Sequence, residues 1–203
     1  MTKKLSLFAM LLAAKTACAY DLPMEEKKRG LEENGFVLSL GGVSFDRDVA
    51  AEEGVEDTAL YMKFGWEGRY YNNVILGLGF AAFGYSDNDS FNQWTEDTWG
   101  DEEYTSSSAA ALNYYGELGY GFELAPEVSL DLIVGMETVL SSERSINNCS
   151  DCYSEDIDIE SGRYFSPRIR IKPWTHWSFA FSYRTYFNGH VENNAHLSAG
   201  FIF

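Results

Sequence analysis

The sequence predicts an all-β fold: a closed, eight-stranded, antiparallel up-and-down barrel that crosses a membrane. Three observations predict it. Eight segments alternate with period two between large apolar residues and small or charged ones, which marks strands with two unlike faces. The polar connections between these segments alternate strictly between long and short. The apolar residues are also too numerous to fit inside so narrow a barrel. At 203 residues the chain has the length of one domain. Its 31 acidic and 15 basic residues give a net charge of −16, which excludes a nucleic-acid partner, since that needs a basic stripe. Aromatic residues make up 16%, enough to bury and so to exclude disorder. After the N-terminus no apolar run approaches about 20 residues, which excludes membrane-spanning helices.

The first 19 residues read as a signal peptide. Lys3 and Lys4 form a basic start, residues 5–14 an apolar stretch too short to span, and Ala17-Cys18-Ala19 a small-x-small cleavage site. Cleavage after Ala19 leaves a chain beginning at Tyr20 with a charge of −19. Residues 20–34 are a charged periplasmic lead-in, and residues 35–203 are the barrel.

The predicted strands are 36–45, 58–70, 74–85, 109–124, 128–140, 163–173, 177–187 and 196–203. The first sets Phe36, Leu38 and Leu40 against Ser39 and Gly41. The second sets Leu60, Met62, Phe64 and Trp66 against Lys63, Gly65, Glu67 and Arg69. In the third, Val74, Leu76, Leu78 and Phe80 oppose Gly77, Gly79 and Ala81. In the fourth, Leu112, Tyr114, Leu118, Tyr120 and Phe122 oppose Asn113, Glu117, Gly119 and Glu123. The fifth alternates Val128, Leu130, Leu132, Val134 and Met136 with Ser129, Asp131, Gly135 and Glu137. The sixth alternates Phe165, Ile169 and Ile171 with Ser166, Arg168, Arg170 and Lys172. Trp177, Phe179, Phe181 and Tyr183 face away from Ala180, Ser182 and Arg184 in the seventh. Leu197, Ala199, Phe201 and Phe203 face away from Ser198 and Gly200 in the eighth.

Volume decides which face is outside. An eight-stranded barrel has room only for packed side chains or one small ligand. Some three dozen large apolar side chains therefore face lipid, and the small and charged set fills the lumen. The expected lumen network contains Lys63, Arg69, Arg168, Arg170, Lys172 and Arg184 against Glu67, Glu117, Glu123, Asp131 and Glu137. Near-balance is what a buried polar filling requires, because unpaired buried charges are costly. Asp131 is expected beside Arg170 or Lys172, and Glu137 beside Arg168 or Arg184. An open sheet edge would leave backbone groups unsatisfied in hydrocarbon, so the first strand must pair with the last.

The long connections, 46–57, 86–108, 141–162 and 188–195, are expected on the exterior, and the short ones on the periplasmic side. They carry net charges of −5, −7, −5 and −1. Cys149 and Cys152 lie in the third loop as a C-x-x-C. A redox centre would want a thioredoxin-like setting and zinc two more soft ligands, so in an oxidising compartment a local disulfide is expected. Asp156, Asp158 and Glu160 alternate but lack EF-hand spacing, and are read as a solvated loop. His196 and Ser198 share the lumen phase without an identifiable supporting acid, so no catalytic site is predicted.

At this point the sequence resembles the small eight-stranded outer-membrane barrels, the OmpA transmembrane-domain, OmpX/Ail and OmpW-like group. The resemblance covers residues 35–203, and its sharpest motif is the C-terminal strand from His196 to Phe203, ending on Phe. It implies that Phe201 and Phe203 carry the signal read by the barrel assembly machinery. It further implies a place in the outer membrane of a Gram-negative-type bacterium, among outer-membrane lipid and lipopolysaccharide. A monomer without cofactor or metal is expected, with a structural or surface-interaction role through acidic exterior loops that contact an extracellular ligand or host surface. A porin-like passage for small or hydrophobic solutes is the alternative.

Overall fold

The computed structural model describes residues 31–70, 72–87, 93–96, 99, 102–105, 107–146 and 154–203. In chain order the elements are β1 (Leu31–Phe45), α1 (Arg47–Glu52), β2 (Val55–Tyr70), β3 (Val74–Asp87), β4 (Gln93–Glu96) and β5 (Glu102–Thr105). They continue with β6 (Ser107–Ala125), β7 (Val128–Ile146), β8 (Ser154–Asp156), β9 (Arg163–Trp174), β10 (Trp177–Tyr186) and β11 (Val191–Ile202). Eight of these strands, β1, β2, β3, β6, β7, β9, β10 and β11, pair antiparallel with their chain neighbours. The barrel is closed by β1 against β11, with Phe36 opposite Phe201 and Ser39 opposite Ser198. Closure leaves no exposed edge, as a lipid-facing sheet requires.

The period-two pattern sorts as volume demands. Leu60, Phe64, Leu118, Ile169 and Leu197 are exposed on the outer wall, Phe64 by 53% and Leu197 by 66%. Lys63, Asp131, Arg168 and Arg184 are buried in the lumen. On the short-turn side, Asn73 closes the β2–β3 turn at φ 61°, a left-handed conformation that Asn tolerates better than most residues. Its N–H donates to the Tyr70 carbonyl at 2.8 Å.

Several strand ends lie beyond the expected limits. The last four residues assigned to the segment 20–34 are part of β1, which brings Glu33 to the mouth of the lumen. β11 begins at Val191, so the final exterior connection is short and most of the loop expected over 188–195 is strand. The reason is physical: above the hydrocarbon the outer face need not be apolar, so the exposed Glu192 and half-buried Asn193 hide the alternation, and the buried Asn194 carries a polar group on the inner face. The other exterior connections carry structure of their own. The first contains α1, capped by the Asp46 carboxylate, which accepts the Asp48 and Val49 N–H groups at 2.9 and 3.3 Å. The second carries the β4–β5 hairpin, and the third contains β8, paired with the upper part of β7.

Candidate functional site

The barrel interior is built in layers, and the strand register sets which groups meet. At the periplasmic mouth Glu33 takes Arg170 at 2.7 Å and also Lys172. One layer higher, Asp131 lies opposite Arg168 in the β7–β9 register and opposite Gly121 in the β6–β7 register. Arg168 therefore reaches Asp131 directly, at 2.8 Å, and Arg69 reaches it at 2.9 Å across the space Gly121 leaves open. A Cβ on Gly121 would lie 2.1 Å from the Arg69 guanidinium. Arg168 also holds Glu67 through two hydrogen bonds, at 2.5 and 3.0 Å, the fork geometry suited to a carboxylate.

The next layer mixes charge with phenols. Glu117 accepts from Lys63 at 2.7 Å, Arg184 at 2.7 Å and the Tyr164 hydroxyl at 2.8 Å. Glu137 is bonded to Arg184 and accepts from the Tyr61 and Tyr186 hydroxyls at 3.0 and 2.9 Å. The Arg184 guanidinium also lies over the Tyr164 ring, 4.3 Å from its centroid. The Arg184, Asp131 and Glu137 side chains are all but fully buried, so each charge depends on these partners rather than on water.

This arrangement corrects three sequence expectations. Asp131 is partnered by Arg69 and Arg168, not by Arg170 or Lys172, because the latter two lie lower and find Glu33. Glu123 is exposed rather than part of the network, since a bulge between Glu123 and Ala125 carries it out at the periplasmic end. The lumen is also not confined to small and charged residues. Tyr61, Tyr115, Tyr164 and Phe83 are buried in it, and glycines make the room for Tyr115 and Tyr164. A Cβ on Gly65 would lie 2.0 Å from the Tyr115 hydroxyl, and one on Gly135 would lie 2.5 Å from the Tyr164 ring. Gly65 and Gly135 were legible as lumen positions; their large partners were the missed half of the same pattern.

Above the network, an apolar plug seals the exterior mouth. Ile157 and Ile159, from the third loop, are 4% and 2% exposed and join a cluster with Phe45, Phe83, Tyr85 and Val191. The Ile157 N–H donates to the Ser142 carbonyl at 3.0 Å, and the Glu160 N–H to His190 Nδ1 at 3.1 Å. Each isoleucine contributes about 1.5–3 kcal/mol by leaving water. The alternate residues Asp156, Asp158 and Glu160 stay outside.

On the exterior, the β4–β5 hairpin presents Trp94 opposite Tyr104, their ring centroids 5.7 Å apart, with Trp99 87% exposed between the strands. His196 Nδ1 meets Asn194 Oδ1 at 2.5 Å and the Ser198 hydroxyl meets that of Ser39 at 2.9 Å. Cys149 and Cys152 lie outside the described residues, as does the signal segment. Among the described residues no cluster of three or more His, Cys, Asp or Glu is arranged to hold a metal ion. At the barrel seam Phe201 packs edge-on to Trp177 at 5.3 Å, and Phe203 lies 5.6 Å from Phe36.

The architecture is similar to that of solved outer-membrane proteins at low sequence identity. Neisserial surface protein A matches at 7% identity with a TM-score of 0.53, over 86% of this chain and 99% of that one. The attachment invasion locus protein Ail of Yersinia pestis matches at 13% identity with a TM-score of 0.50, over 84% of this chain and 98% of that one. No curated protein sequence matches the chain. The model of the outer membrane protein beta-barrel domain matches residues 6–203, and the chain belongs to that family.

Proposed function

We propose that the protein is a surface-interaction barrel whose exterior loops contact an extracellular partner, rather than a passage for solutes. The observation that carries this reading is the doubly blocked lumen. Solute would have to displace both the Ile157–Ile159 plug and the paired layers of Arg184, Glu117, Glu137 and Asp131 beneath it. Breaking one such buried pair costs about 3–5 kcal/mol. The exposed Trp94, Trp99 and Tyr104 supply the kind of rigid aromatic anchors that interfaces favour. The surrounding loop, with a net charge of −7, disfavours polyanionic partners. In the same reading, residues 1–19 are removed on export, Cys149 and Cys152 tie the third loop locally, and Phe201 and Phe203 direct assembly.

Planar-bilayer recording tests this proposal. The reading expects a silent barrel. Steady conductance steps that disappear on Glu117→Gln or Arg168→Gln would establish the passage instead.

A further inference from the structure

One row of opposed residues climbs the outer wall from the periplasmic end to the exterior rim. It runs Trp177, Phe201, Phe36, Trp66, Leu78, Gly116, Met136 and Arg163, each in register with the next. The row climbs because the strands of a closed barrel are staggered by its shear. Two members break its apolar character. Gly116 has no side chain, and a Cβ there would meet nothing within 4 Å. Arg163 is a cation in the lipid phase of β9, alternating with Tyr164 in the lumen and followed by Phe165 outside.

Between these two positions lies a groove of 540 Å³, its apolar walls formed by Leu118, Val134, Met136 and Phe187. Gly116 is its notch and Arg163 its upper end. Lys63, Arg69, Arg168, Arg170, Lys172 and Arg184 each hold a carboxylate within 4.0 Å. Among the described residues Arg163 has none, and it is exposed. Its backbone is nonetheless fixed: its N–H donates to Asn188 Oδ1 at 2.9 Å, and its carbonyl accepts from the Phe187 N–H at 2.8 Å. A basic residue on the lipid face costs about 2–4 kcal/mol at the midplane but only about 0–1 kcal/mol near the interfaces. As the first residue of β9, Arg163 stands at the exterior interface, where phosphorylated headgroups lie, and a guanidinium matches a phosphate bidentately.

We propose that this groove is a binding site for one phosphorylated, acylated lipid of the outer leaflet, the lipid A part of lipopolysaccharide. An acyl chain lies in the Gly116 notch and a phosphate rests on Arg163. The proposal needs the outer-membrane placement but not the surface-interaction reading, so a conducting barrel would leave it standing.

Native mass spectrometry of the folded, detergent-solubilised protein titrated with bis-phosphorylated lipid A tests it. The wild type is expected to retain one lipid A. Arg163→Gln, which removes the phosphate contact, is expected to weaken binding about tenfold, the worth of one charge-assisted contact, and Gly116→Leu, which fills the notch and displaces the acyl chain, is expected to weaken it to a similar extent. Leu40→Ala, elsewhere on the lipid face, is expected to bind as the wild type does, and Arg163→Lys to recover part of the loss. Lipid A stripped of phosphate should bind the wild type no better than intact lipid A binds Arg163→Gln. Unchanged binding by both Arg163→Gln and Gly116→Leu would overturn the site, as would equal retention of phosphatidylglycerol. Gel migration before and after boiling verifies that each variant is folded.

Discussion

Glu137 shows how much a single lumen residue holds. Its carboxylate is shared by Arg184 and the hydroxyls of Tyr61 and Tyr186, within a layer that water does not reach. Glu137→Gln removes the charge and leaves Arg184 to Glu117 alone. The expected loss of stability is about 3 kcal/mol, the lower end for a broken buried pair, because one partner remains. Glu155 is 40% exposed and lies 3.8 Å from Arg144, which is buried but also donates to the Glu53 carbonyl, so Glu155→Gln is expected to cost less than about 1 kcal/mol. Denaturant unfolding of the folded barrel in micelles checks both; equal effects would mean that the layer is hydrated and its pairs weak.

Among the elements, the plug and the closing strand do different work. Residues 157–162 are held by two buried isoleucines and a few backbone bonds, whereas each barrel strand is paired along its length. The double variant Ile157→Ser, Ile159→Ser is expected to speed amide exchange across 157–162 while leaving β2 and β3 protected. Exchange rising equally in the strands would show that the plug and the wall open as one unit. β11 carries the opposite burden: it must find β1 to close the barrel, with Phe201 opposite Phe36. Deleting Phe203, or replacing it with Asp, is expected to lower the amount of assembled protein in the outer membrane more than deleting the β4–β5 hairpin does. Immunoblots of outer-membrane fractions decide this, and normal levels of the truncated chain would remove the assembly role from Phe203.

At the scale of the whole molecule, closure means that each of the eight barrel strands has two paired neighbours and the wall exposes no edge. Such a barrel resists detergent because its backbone hydrogen bonds are internal. The protein is therefore expected to migrate at different positions on SDS gels before and after boiling. Identical migration of correctly folded protein would count against the closed wall.

The sequence by itself determined the architecture, because strand alternation is local and volume is arithmetic: side chains that cannot fit inside a narrow barrel must face lipid. It placed Lys63, Glu117, Asp131, Glu137, Arg168 and Arg184 on the inner face for the same reason. It did not reveal which of them meet. Arg69 and Asp131 are 62 residues apart and touch only because Gly121, on one of the two strands between them, leaves a gap. Glu33 stood in a charged lead-in with no apolar alternation to mark it as strand. Tyr61, Tyr115 and Tyr164 belong to neither the large apolar set nor the small and charged set read from the sequence, and the register is what places Tyr115 and Tyr164 over the gaps left by Gly65, Gly79 and Gly135. Ile157 and Ile159 lay in a loop whose acidic residues suggested only a solvated rim. These are contacts across the barrel, fixed by register, shear and the volume left by opposing residues, and only the tertiary structure decides them.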